Sequence, residues 1–161
     1  MDSRKLALSK LLDRIGDGLV VCGLGKMGRE LFELRQERGE PNDDFIAMGS
    51  MGCAVGIGLG IALSRPSKKV FVLTGDGALL MKLGSIATAL RYKPENLEII
   101  VIENDLHDST GGQRNNFEYI SDWVGTHCRV IKVKPGANEN LGRPNITPKQ
   151  MVERFRGKIS N

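Results

Sequence analysis

TGDGALLMKLGSIATALRYKPENLEIIVIENDLHDSTGGQ, residues 74–113, is the stretch from which the rest of the chain is read. Gly75, Asp76 and Gly77 follow the apolar, β-branched run Lys69 to Thr74, and Asn104 follows a second such run, Leu97 to Glu103. Between them Ala78 to Arg91 has the composition of a helix. Two parallel strands joined by a helix end at the same edge of a sheet, so a carboxylate and a carboxamide are expected side by side there. Glycine-freed backbone amides at a helix N-terminus stand beside them. Oxygen ligands suit Mg²⁺ or Ca²⁺ and such amides suit an anion, so the pattern predicts a diphosphate held through a hard cation.

The alternation of strand and helix continues on both sides. Ser3 to Ile15 carries Leu6, Leu8, Leu11, Leu12 and Ile15 at mostly helical spacing, with Asp2 or Ser3 as N-cap. Gly18 to Cys22 reads as a strand, a helix runs to about Arg38, and Phe45 to Met48 is another apolar run. Beyond the opening stretch, Phe117 to Val124 looks helical and Arg129 to Val133 is the last strand. Thr147-Pro148-Lys149-Gln150 reads as a capping box opening a short helix with Met151, Val152 and Phe155. These repeats predict one α/β domain over residues 1–161. Its expected form is a doubly wound, mostly parallel sheet with helices on both faces and ligands at the carboxyl ends of the strands.

Gly23-Leu24-Gly25-Lys26-Met27-Gly28 has the spacing of a dinucleotide-binding turn, and Asp43 and Asp44 lie about twenty residues beyond its first glycine. The ribose-binding acid should end the second strand, whereas both aspartates precede Phe45. A nicotinamide-binding Rossmann oxidoreductase would also leave Asp76 and Asn104 without a task, and it stands as the alternative. Gly49-Ser50-Met51-Gly52 then leads into an apolar helix in which Gly52, Gly56 and Gly60 recur four residues apart. A glycine within a helix costs on the order of 1 kcal/mol relative to alanine, so three on one face predict close approach by a neighbouring helix or subunit.

Composition narrows the classes further. With 40% apolar and 26% charged residues in 161, the chain is an ordinary globular domain. A net charge of +4, 5% aromatic residues and no clustered basic stripe argue against nucleic acid and fit an anionic ligand. Cys22, Cys53 and Cys128 follow neither disulfide nor zinc spacing, which points to a reducing cytoplasm. The N-terminus spreads charge among its apolar residues and lacks the core of a signal peptide. Phe45 to Ser64 is uncharged and long enough to span a bilayer, but Gly49, Gly52, Gly56, Gly58 and Gly60 interrupt it and no aromatic belt flanks it. No membrane span is expected.

Gly75-Asp76-Gly77, twenty-six residues and then Asn104 resemble the metal-diphosphate signature of thiamine-diphosphate enzymes. The loop His107-Asp108-Ser109-Thr110-Gly111-Gly112-Gln113 and the stretch Lys134 to Phe155 are similar to the phosphonopyruvate and sulfopyruvate decarboxylases of that family. The resemblance implies a carboxy-lyase using thiamine diphosphate and Mg²⁺. Asp76, the side-chain oxygen of Asn104 and the backbone carbonyl of Leu106 would be the metal ligands. Gly75, Gly77 and Ala78 would meet the diphosphate. Gly49 would offer its carbonyl to the aminopyrimidine, with Ser50 beside it and Met51 bending the cofactor. His107 and Asp108 would be catalytic, moving protons near the thiazolium. Gln113 and Arg114 are candidates for holding an anionic substrate tail.

In that family the glutamate that ionises the aminopyrimidine belongs to a separate pyrimidine-binding domain, and residues 1–161 are accounted for without it. The resemblance therefore implies a beta subunit whose alpha subunit carries that domain, in a hetero-oligomer acting on a small anionic 2-oxo acid. Two departures bear on the substrate. Cys53 stands where relatives acting on phosphonopyruvate commonly carry histidine, and Gly23 to Gly28 lacks their hydroxyls, leaving Lys26 and bare amides. A carbon-carbon ligase subunit and a degenerate binding subunit stay open beside the decarboxylase.

Overall fold

The structure, a computed structural model, describes residues 1–136 and 141–160. Five strands, β1 (Leu19–Gly23), β2 (Phe45–Ala47), β3 (Val70–Gly75), β4 (Leu97–Glu103) and β5 (Arg129–Lys132), pair in parallel in the order β2-β1-β3-β4-β5. The helices are α1 (Arg4–Ile15), α2 (Lys26–Glu37), α3 (Ala54–Ser64), α4 (Asp76–Met81), α5 (Gly84–Tyr92), α6 (Ser121–Gly125) and α7 (Pro148–Ser160). Each step from one strand to the next passes through at least one of them.

Successive residues of a strand face opposite layers. Val20, Cys22, Phe71, Leu73, Ile100 and Ile102 pack with α1, α2 and the start of α7. Leu19, Val21, Val70, Val72, Ile99 and Val101 pack on the other face with α3, α4, α5 and α6. Strands covered on both faces must be apolar without alternation, which is why β1, β3 and β4 read as continuous hydrophobic runs. Local signals agree with the helix ends. Ser3 caps α1 through its Oγ, which accepts the Leu6 N–H at 3.3 Å. The capping box forms reciprocally, Thr147 N–H to Gln150 Oε1 at 2.9 Å and Gln150 N–H to Thr147 Oγ1 at 3.3 Å, and α7 runs for 13 residues. Within the stretch from Lys134 to Phe155, residues 137–140 lie outside the described residues. None of the described helices is long and apolar enough to cross a membrane.

Two expectations change. The helix expected from Ala78 to Arg91 is two helices, because Lys82 leaves the helical conformation at φ −138° and ψ 42° and the chain re-enters it at Gly84. The glycine face also divides. Gly52 lies ahead of α3 at φ +84°, where a Cβ would stand 2.8 Å from the Ala78 carbonyl oxygen. Gly56 and Gly60 are exposed, and beyond the adjoining residues and the helix's own backbone no atom of the described residues lies within 4 Å of an added Cβ. The close approach of α3 is made instead at Gly58, where a Cβ would fall 2.2 Å from Val72 Cγ2. No neighbouring helix among the described residues fills the Gly56–Gly60 face.

Candidate cofactor site at the switch point

β1 and β3 are neighbours in the sheet, yet the chain leaves β1 for α2 on one face and β3 for α4 on the other. This reversal opens a crevice beyond their carboxyl ends, the usual ligand site of such sheets. A cavity of about 670 Å³ occupies it. That volume lies within the ordinary range of small-molecule and cofactor pockets.

Asp76 organises the floor. It begins α4 and is buried, with Oδ1 accepting the Gly77 N–H at 2.7 Å and Oδ2 accepting the N–H groups of Asn104 at 2.9 Å and Asp105 at 2.7 Å. One carboxylate thus joins the start of α4 to the end of β4. Asp105, at φ +60°, turns the chain back sharply. Asn104 then accepts the Leu106 N–H on Oδ1 at 3.1 Å and donates from Nδ2 to Asp108 Oδ2 at 2.7 Å. The loop is closed at its base by a bridge between Leu106 and Arg114 and by the His107 N–H donating to the Gln113 carbonyl at 2.8 Å. The His107 ring lies against Gly77, where a Cβ would stand 2.7 Å from both Cε1 and Nδ1. A glycine at 77 is what lets the imidazole reach the start of α4.

The structure brings most of the expected site residues to this one cavity. Gly49, Met51, Gly75, Asp76, Gly77, Ala78, Asn104, Leu106, His107 and Asp108 all line it. Ser50 is exposed and outside the lining, as are Gln113 and Arg114, and Arg114 pairs with Glu118 at 2.7 Å on the surface. The Gly77 N–H is occupied by Asp76. Met51 is 37% exposed and on the cavity wall, so it does not serve as core filling.

Four residues to which the motifs gave no role belong here, Arg4, Arg29, Ser109 and Arg143. Arg4 of α1, only 6% exposed, lines the cavity and donates to Glu30 at 2.7 Å and to Asp108 at 3.1 Å. Burial opposes its charge, but the Glu30 and Asp108 carboxylates outweigh that and hold its pKa above the ordinary arginine value. Helical spacing was the available signal, since Arg4 extends the buried stripe of Ala7, Leu8 and Leu11. Ser109 accepts the Lys26 N–H on its hydroxyl at 3.3 Å, so a hydroxyl missing from the first glycine turn reaches it from the later loop. Arg143 joins Lys26 and Arg29 in giving the lining positive charge.

The residues fit a hard cation with a diphosphate. Among the described residues no group of three His, Cys, Asp or Glu side chains forms a metal cage. The donors that Asp76, Asn104 and Leu106 would offer are one carboxylate, one carboxamide oxygen and one backbone carbonyl, an incomplete shell of hard oxygens. Mg²⁺ suits it, because that ion is commonly held by one or two carboxylates together with water and phosphate oxygens. A dinucleotide fits less well. Asp44 is buried ahead of β2, in a bidentate pair with Arg35 at 2.8 and 2.9 Å, and β2 ends in Ala47 with no acid at that edge.

Fold and crevice together define a thiamine-diphosphate-binding domain. Residues 23–151 match the family described as thiamine pyrophosphate enzyme, C-terminal TPP binding domain, and the chain belongs to that family. It is 41% identical to sulfopyruvate decarboxylase subunit beta of Methanothermobacter thermautotrophicus, over 92% of this chain and 91% of that one. It is 34% identical to phosphonopyruvate decarboxylase of Streptomyces viridochromogenes over 98% of this chain and 46% of that protein, and 32% identical to that of Streptomyces hygroscopicus over 96% and 45%. The chain therefore spans less than half the length of these phosphonopyruvate decarboxylases and nearly all of the beta subunit.

Proposed function

We propose that this chain is the beta subunit of a thiamine-diphosphate- and Mg²⁺-dependent decarboxylase of a small anionic 2-oxo acid, with phosphonopyruvate and sulfopyruvate as the types. The observation that carries this reading is the tie from Asp76 Oδ2 to the Asn104 main chain at 2.9 Å, which sets a carboxylate and a carboxamide together in the switch-point cavity. Asp76, Asn104 and the Leu106 carbonyl would hold the cation, and Ala78 and Lys26 would meet the diphosphate. When bound, the cofactor supplies the electron sink that lets carbon dioxide leave. The chain's own residues then orient and exclude. Gly49 and Met51 seat the ring end of the cofactor, His107 places an imidazole at the cavity wall for proton transfer, and Arg29 and Arg143 attract the anionic tail of the acid.

The match to almost the whole of a beta subunit supports a division of labour between two chains. Residues 1–161 form the diphosphate-binding domain. An alpha subunit brings the pyrimidine-binding domain and its activating glutamate, and the exposed Gly56–Gly60 face offers it a surface of close approach. A reducing cytoplasm fits the three free cysteines, with burial pushing the Cys128 thiol up to about 11 and the Cys22 thiol higher still.

A thermal melt of the full chain, alone and with the co-expressed alpha subunit, tests the reading. Thiamine diphosphate with Mg²⁺ at a hundred times its dissociation constant should stabilise by about 2.7 kcal/mol, or roughly 5 to 10 °C. EDTA should abolish the shift. A shift with NADH in place of thiamine diphosphate would overturn the assignment.

A further inference from the structure

We propose that Asp108 is a positioning residue: anchored by Arg4, its carboxylate orients the Asn104 amide so that Oδ1, and not Nδ2, is offered to the cation. The proposal rests on the reading of Asp76 and Asn104 as a cation site. It assigns Asp108 a different task from the proton transfer that the family resemblance implies.

The two ends of a carboxamide have the same shape and opposite chemistry. Oxygen is a ligand for a hard cation, while the amino group carries two donors and repels it. Neighbours therefore decide whether Asn104 can act as a ligand. On one side the Leu106 N–H donates to Oδ1 at 3.1 Å, and on the other Nδ2 donates to Asp108 Oδ2 at 2.7 Å. Turning the amide over would set two donors face to face at Leu106 and an oxygen against a carboxylate at Asp108. Only the observed orientation satisfies both partners. The Leu106 bond takes one lone pair of Oδ1, and a carbonyl oxygen has a second.

A carboxylate can do this only if it is itself held. Arg4 Nη1 donates to the same Asp108 oxygen at 3.1 Å, and Arg4 is fixed in turn by Glu30, through Nε at 2.7 Å and Nη2 at 3.3 Å. Arg4 and Glu30 are 6% and 4% exposed. Buried charges are strongly unfavourable unless each is paired, and here the chain Glu30, Arg4, Asp108, Asn104 is paired throughout. The two donors on Asp108 Oδ2 are a guanidinium and an amide, neither of which gives up a proton at neutral pH. That oxygen is built to hold Asn104, and it connects α1 and α2 to the cation loop.

A double-mutant cycle read by direct cation binding tests this. Mn²⁺ affinity in the presence of thiamine diphosphate is measured from the free-Mn²⁺ electron paramagnetic resonance signal, on the chain assembled with its alpha subunit. Asp108→Ala should weaken Mn²⁺ binding by about 10- to 100-fold, the usual effect of removing an outer-shell partner of a metal ligand. Asp108→Asn, which keeps an acceptor oxygen for Nδ2, should restore most of that affinity. In an Asn104→Asp background the side chain has no wrong end, so Asp108→Ala should cost little there or tighten binding by removing a like charge. Arg4→Lys, which keeps the charge but loses the fork, runs the same cycle more gently if Asp108→Ala fails to fold. Wild-type affinity in Asp108→Ala, or an equal loss in both backgrounds, would overturn the positioning role alone. A wild-type assembly that binds no Mn²⁺ with thiamine diphosphate would overturn the cation-site reading beneath it.

Discussion

The turn from β1 into α2 and the turn from β3 into α4 stand side by side at one sheet edge, and both are rich in glycine. The first is shaped by where backbone fits. Gly25 sits at φ +107°, and a Cβ on Gly28 would come 2.9 Å from the Gly23 carbonyl oxygen and 3.0 Å from Ile46 Cγ2. The second is shaped by a charge. A Cβ on Gly75 would meet nothing within 4 Å and one on Gly77 would meet only the side chains of His107 and Asn115, with no backbone in the way, while Asp76 between the glycines takes three backbone N–H groups. Glycine spacing thus reports close packing of a strand on a helix, which many ligands and none can share. The chemistry lies in the residue the glycines enclose.

Asp76→Ala should have the largest effect, because three backbone donors, two of them buried and one part-buried, lose their partner at about 1–3 kcal/mol each. The melting temperature of the free chain should fall by at least about 6 °C, and the shift with thiamine diphosphate and Mg²⁺ should vanish. A variant that melts like wild type would break the claim that a carboxylate organises this turn. The next test sets glycine against glycine by urea unfolding. Gly28→Ala should destabilise by about 1–3 kcal/mol through overpacking, and Gly75→Ala should stay within about 0.5 kcal/mol. Equal costs would erase the distinction between the turns.

Lys26→Met asks what charge the first turn contributes. With the lysine half-buried at the cavity, the loss should be about 1 kcal/mol of cofactor affinity, roughly fivefold, shrinking as salt rises in calorimetric titrations. A loss as deep as that of Asp76→Ala would make the first turn an equal partner in binding. The smallest effect belongs to Gly56, exposed within α3. Gly56→Ala should stabilise the isolated chain by about 0.5–1 kcal/mol and weaken its association with the alpha subunit in a sedimentation assay. Unchanged association would remove that face from the proposed interface.

Much of this could be read from the chain without coordinates. The runs 70–75 and 97–103 were legible as strands because a sheet covered on both faces demands uninterrupted apolar residues. Asp76 and Asn104 were legible as a pair because a strand-helix-strand unit returns to the same edge, which turns a sequence interval into a spatial neighbourhood. The break at Lys82 was not, since Ala78 to Arg91 is helical in composition and only the fold imposes the interruption. The Gly52, Gly56 and Gly60 spacing was legible only in part, for a related reason. Periodicity places residues on one face of a helix but does not say where the helix begins or what that face meets.

What the sequence determined by itself is therefore the fold class, the sheet edge that carries the site and the meeting of Asp76 with Asn104 on it, all set by local periodicity and short-range connection. What only the tertiary structure decided is who holds those side chains in place. Arg4 and Asp108 are 104 residues apart, and Ser109 and Lys26 are 83 apart. No local pattern encodes such meetings, because they depend on how α1, α2 and the loop after β4 pack around a common edge.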